Sequence, residues 1–68
     1  MKKTILVEGM SCKHCVAHVK EALEEIGGKN VEVSLEKNTA EGEFHEQITD
    51  EAIKNIVEDY GYDVKKID

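Results

Sequence analysis

Apolar positions along this chain switch between a two-residue and a three-to-four-residue period, and each switch marks an element. Thr4-Ile5-Leu6-Val7-Glu8 is a short β-prone run that ends at Gly9 and predicts a first strand. From Cys12 to Ile26 the period becomes helical. Val16, Val19, Leu23 and Ile26 fall on one face, while Lys13, Lys20, Glu21, Glu24 and Glu25 take the other. Ser11 is the expected N-cap, and Gly27-Gly28 is the expected stop, because glycine accepts the left-handed conformation beyond a helix. Residues 31–36 alternate again, which predicts a strand with Val31, Val33 and Leu35 facing inward. Lys37-Asn38 reads as a turn. Residues 39–46 set Ala40, Gly42 and Phe44 against Glu41, Glu43 and His45, an antiparallel partner that offers little side-chain packing. Thr49 is the expected cap of a second helix, with Asp50 and Glu51 at the positive end of its dipole. Ile53, Ile56, Val57 and Tyr60 form its apolar face and Gly61 ends it. Residues 62–67 make a last short strand.

The order is strand, helix, strand, strand, helix, strand. Each helix must bury its stripe against one face of the sheet, and crossovers between parallel strands are right-handed. The expected fold is therefore α+β: a ferredoxin-like β-α-β-β-α-β sandwich, with a four-stranded antiparallel sheet and two helices on one face. If the first strand runs up, the loop from Gly9 to Cys12 lies at the top. The Lys37-Asn38 turn and the Gly61-Tyr62 junction land at the same end. The cysteine loop and Tyr62 are thus expected to be neighbours although most of the chain separates Cys15 from Tyr62.

Composition narrows the class. Sixty-eight residues form a single expected domain spanning 1–68, with 40% hydrophobic and 35% charged residues. No apolar run approaches the ~20 residues of a membrane span, and the start lacks a signal-peptide stretch, so no direct membrane insertion and a cytoplasmic location are expected. Fifteen acids against nine bases, all lysine, give a net charge of −6. Phosphate backbones demand a basic face and base edges are most often read by arginine, so no nucleic-acid partner is expected. A chain this small is suited to binding something near its surface rather than enclosing a reaction, and the expectation is that it is not an enzyme.

Chemistry concentrates in Cys12-Lys13-His14-Cys15, a C-x-x-C at a loop-to-helix junction. Three readings compete. A structural disulfide fits poorly in a reducing compartment. A thioredoxin-like redox centre uses the same spacing, but its fold is larger and this chain has no proline to set beside the sulfurs. The third is a metal site, in which a helix N-terminus favours deprotonation of two converging thiols. Structural zinc wants four ligands. His18, three residues past Cys15, makes a C-x-x-C-x-x-H set thinkable, yet a fourth ligand is hard to name. Cu(I), a soft monovalent ion, is satisfied by two thiolates and at most a third ligand, and is the better match.

Gly9-Met10-Ser11-Cys12-Lys13-His14-Cys15 resembles the G-M-x-C-x-x-C signature of heavy-metal-associated domains. The stretch from Val16 to Leu23 is similar to that family's first helix. Gly61-Tyr62-Asp63-Val64 resembles the last loop and strand of bacterial copper chaperones of the CopZ type. The resemblance covers nearly the whole chain. It implies the ferredoxin-like fold, Cu(I) bound by Cys12 and Cys15, and delivery to the metal-binding domain of a copper-transporting P-type ATPase. It also implies that Met10 turns inward beneath the loop rather than ligating. Tyr62 would shield the sulfurs or tune their hydrogen bonding. His14 is expected to point to solvent, with a transient third ligand or an influence on thiolate ionisation as its other reading. His18 and His45 are expected to be solvated surface residues.

Transfer would proceed by ligand exchange: an incoming cysteine pair adds to copper before an original sulfur leaves. An exposed dithiol also admits a copper-bridged homodimer. Other readings are an excised N-terminal metal-binding domain of a copper ATPase, and a zinc- or mercury-binding or thiol redox protein. Met1 and the short charged terminus of Lys65, Lys66, Ile67 and Asp68 favour a stand-alone protein over an excised domain.

Overall fold

The computed structural model describes residues 1–11 and 13–68. Six elements follow in the expected order: β1 (Lys2–Glu8), α1 (Lys13–Glu25), β2 (Lys29–Ser34), β3 (Thr39–Glu43), α2 (Asp50–Asp59) and β4 (Asp63–Ile67). The strands form one sheet in the order β2-β3-β1-β4, and every neighbouring pair is antiparallel. The two helices pack on one face of it and against each other, which is the ferredoxin-like arrangement.

Capping decides the helix limits. Thr49 has extended backbone and its Oγ1 accepts from Ala52 N at 3.1 Å, as expected of an N-cap, with Asp50 and Glu51 following in the first turn. Both helices end in the same glycine motif. Gly28 N donates to Leu23 O and Gly27 N to Glu24 O, each at 3.0 Å, with Gly27 at φ 91°. After α2, Gly61 N donates to Glu58 O at 2.9 Å and Tyr62 N to Val57 O at 3.4 Å, with Gly61 at φ 99°. These paired bonds satisfy carbonyls that a helix end otherwise leaves without partners. The expected cap at Ser11 stands two residues before the first helical residue of α1, and the position between lies outside the described residues.

Strand limits differ from the alternation. β2 starts at Lys29 and stops at Ser34, so Leu35 is not an inward strand residue but 37% exposed. The turn takes it: Asn38 N donates to Leu35 O, Lys37 N to Ser34 Oγ, and Asn38 adopts φ 55°. β3 ends at Glu43, short of the predicted 46, yet Phe44 remains only 3% exposed and its backbone is tied to Met1. Ala40 and Gly42 serve an interior strand. A Cβ on Gly42 would sit 3.2 Å from Val31 Cγ2 and 3.3 Å from the Phe44 ring, so the small residues make room for the only phenylalanine. In β4, Val64 and Ile67 lie an odd number of residues apart, which in a regular strand puts them on opposite faces. A bulge opposite Leu6 and Val7 shifts the register, so that Val64 pairs Val7 and Ile67 pairs Ile5, and both reach the core.

The core is aliphatic. Ile5, Val7, Val19, Leu23, Ile53 and Val57 are fully buried, and among the described residues no polar or charged side chain is.

Candidate functional site

Three connections converge at one end of the sheet. β1 leaves the sheet at Glu8 and passes through Gly9, whose φ of 99° favours glycine. Met10 follows and turns inward, 6% exposed and part of the core, as the resemblance implied. The turn between β2 and β3 reaches the same end, where Val7 N donates to Asn38 O at 2.8 Å. The glycine turn after α2 then delivers Tyr62. Its ring lies beside the loop: a Cβ on Gly9 would sit 3.6 Å from Tyr62 Cδ1. Tyr62 is 9% exposed. The expected meeting of loop and tyrosine is thus what the tertiary structure builds, and at the surface nearby Lys65 of β4 pairs with Glu8 at 3.1 Å.

Cys15 occupies the first turn of α1, half-buried, and packs against the core cluster that contains Met10 and Tyr62. Cys12, the other candidate ligand, lies outside the described residues. His14 is exposed, as expected. Among the described residues the first turn of α1, which holds Cys15, carries no acidic side chain, and the positive end of the helix dipole lies there. Among the described residues, no three of the His, Cys, Asp and Glu side chains are grouped so as to hold a metal ion.

His18 departs from the sequence reading. It is exposed, but not merely solvated. Its Nδ1 lies 3.3 Å from the Tyr62 hydroxyl, and its ring is tilted 53° to that of Tyr60 at 6.4 Å. The Tyr60 hydroxyl in turn donates to Glu25 Oε2 at 2.9 Å. The available signal was helical spacing, since residues three apart share a face and His18 follows Cys15 by three. The partner tyrosines come from the other end of the chain, and pattern alone does not pair them. His45 lies away from this end, exposed beside a depression lined by Met1, Gly27 and Phe44.

Residues 4–63 match the heavy-metal-associated domain model. The chain belongs to that family. It is 43% identical over 67 residues to the copper chaperone CopZ of Staphylococcus haemolyticus (strain JCSC1435), covering 96% of this chain and 98% of the relative. A solved CopZ metallochaperone superposes with a TM-score of 0.87 at 34% identity, covering 96% of this chain and all of the other. A copper binding domain from HMA7, a P-type ATPase, superposes with a TM-score of 0.86 at 32% identity, covering 96% and 92%. The same fold thus occurs in a metallochaperone and in a copper binding domain of a P-type ATPase.

Proposed function

We propose that this chain is a single heavy-metal-associated domain, residues 1–68, that carries Cu(I) between the Cys12 and Cys15 thiolates. It hands the ion on by ligand exchange to the metal-binding domain of a copper-transporting P-type ATPase. The observation that carries the reading is the position of Cys15. It stands in the first turn of α1, at the end where the Gly9-Met10 loop and Tyr62 meet, half-buried and still within reach of a partner. The named relatives support copper as the cargo and a P-type ATPase domain as the recipient. Two soft sulfurs suit Cu(I). A closed zinc site would need three protein ligands besides Cys12, and no such trio is assembled among the described residues.

The carrier adds a cysteine of the partner as a third ligand, then releases one of its own sulfurs, so copper changes owner without becoming a free ion. No bond of a substrate is made or broken, and the protein is not an enzyme. Met10 supports the loop from below, Tyr62 covers it, and His14 stands exposed between the two cysteines. The reading places the carrier in the cytoplasm, where thiols stay reduced. An ATPase-borne domain with the same ligands would perform the same exchange, and the solved ATPase domain keeps that reading open.

The test is an anaerobic, reducing titration with Cu(I) against a competing chelator, read for stoichiometry and mass. One Cu(I) per chain is expected, with mass reporting either a monomer or a copper-bridged homodimer. Cys12→Ser and Cys15→Ser should each lose tight binding while far-ultraviolet circular dichroism stays that of the parent. Full-affinity binding by either single variant overturns the two-thiolate site.

A further inference from the structure

Several restraints act on Tyr62. Its backbone is fixed by the glycine turn after α2, its ring lies against Gly9, and its hydroxyl meets His18 Nδ1 at 3.3 Å. His18 is itself seated. Its ring packs against Tyr60, whose hydroxyl is bound to Glu25, so the Tyr60 side chain spans about two turns of α1 from His18 to Glu25. An exposed histidine serving only as polar surface needs neither an aromatic seat nor a bond to a tyrosine that is nine-tenths buried. His18 also lies on the same face of α1 as Cys15, one turn further along.

We propose that His18 is a positioning residue for metal exchange: by holding the Tyr62 hydroxyl it keeps the phenol ring over the loop, and so limits how fast an incoming thiol reaches the copper. The inference rests on the copper-carrier reading and extends it to a residue outside the C-x-x-C. With the hydrogen on Nε2, Nδ1 accepts a hydrogen bond from the Tyr62 hydroxyl. The ring is then fixed at its far end as well as at its backbone. Without that bond the ring keeps its contact with Gly9 but loses one of its restraints, and the path to the copper opens more often. The effect falls on exchange rate rather than on the sulfur ligands.

The test is the rate at which a small thiol or chelator removes Cu(I) from the loaded protein. His18→Ala should accelerate removal about two- to tenfold, the range a single hydrogen bond supplies. Tyr62→Phe should accelerate it at least as much, and the double variant should be no faster than Tyr62→Phe, because the bond between the two residues is already lost there. His18→Asn, whose side-chain amide reaches the Nδ1 position, should restore slow removal. In the metal-free protein, nuclear magnetic resonance should show the Tyr62 ring signals shifted in His18→Ala, with the far-ultraviolet circular dichroism of the parent. Additive effects of the two variants overturn the proposal, as does wild-type removal from His18→Ala alongside fast removal from Tyr62→Phe. Failure of the parent to bind Cu(I) overturns the carrier reading as well, whereas normal binding with unaltered release in His18→Ala overturns this proposal alone.

Discussion

Tyr60 joins the two helices through a single hydroxyl, and that bond has a pH signature. The hydrogen bond to Glu25 raises its pKa above the ordinary 10.0, and the nearby charges of Glu25 and Glu21 act in the same direction. A raised folded-state value means that the unfolded chain ionises first. The stabilisation is therefore complete below the ordinary tyrosine range and is lost as pH climbs through the folded value. In Tyr62→Phe, where Tyr60 is the only tyrosine left, phenolate absorbance should appear at higher pH than for a solvated tyrosine. Adding Glu25→Gln should bring it back toward the ordinary range, and an unmoved titration would show that the bond does not form in solution. Helical period reveals Tyr60 as an apolar-face residue. Its partner Glu25, thirty-five positions earlier, becomes visible only when α1 and α2 are packed.

At the scale of elements, the glycine turns are where local sequence reaches the site. Gly61 at φ 99° both closes α2 and aims the next residue at the Gly9-Met10 loop. An alanine fits the space, since nothing lies within 4 Å of its Cβ, so the cost is backbone strain alone. Gly61→Ala should destabilise by about 1–2 kcal/mol. In a domain this small that lowers the melting temperature by roughly 5–15 °C. Altered Tyr62 ring signals should accompany it if this turn orients the tyrosine. Glycine stops, the Thr49 cap and the Lys37-Asn38 turn are legible because they act within a few residues. The strand ends and the β4 bulge are not, because pairing with β1 and the needs of Val64 and Ile67 decide them.

For the molecule as a whole, the margin is thin. Twelve buried hydrophobic residues make up the core, and no buried ion pair or hydrogen-bonded polar cluster supplements it among the described residues. Leu23, fully buried between sheet and helix, is the test. Leu23→Ala should cost about 2–5 kcal/mol, a large share of the few kcal/mol that a core of this size supplies. Chemical denaturation should show a markedly lower midpoint, and on the proposed carrier reading Cu(I) should move it back upward. An unchanged midpoint would mean that the helix does not pack as described.

Taken alone, the amino-acid order determined the element sequence, the inward faces of the helices, the C-x-x-C at a helix start and the family. All of these are local patterns, because hydrophobic period, caps and motif spacing act over a turn or two of chain. Even the meeting of Gly9 and Tyr62 was legible, since alternating strand directions leave only one end for both. Tertiary structure decided what no local rule contains: the exposure of Leu35, the fit of Gly42 beneath Phe44, the bulge in β4, and the bond from His18 to Tyr62. Each depends on side chains brought together from distant parts of the chain, where shape and hydrogen-bond geometry, rather than residue type, settle the outcome.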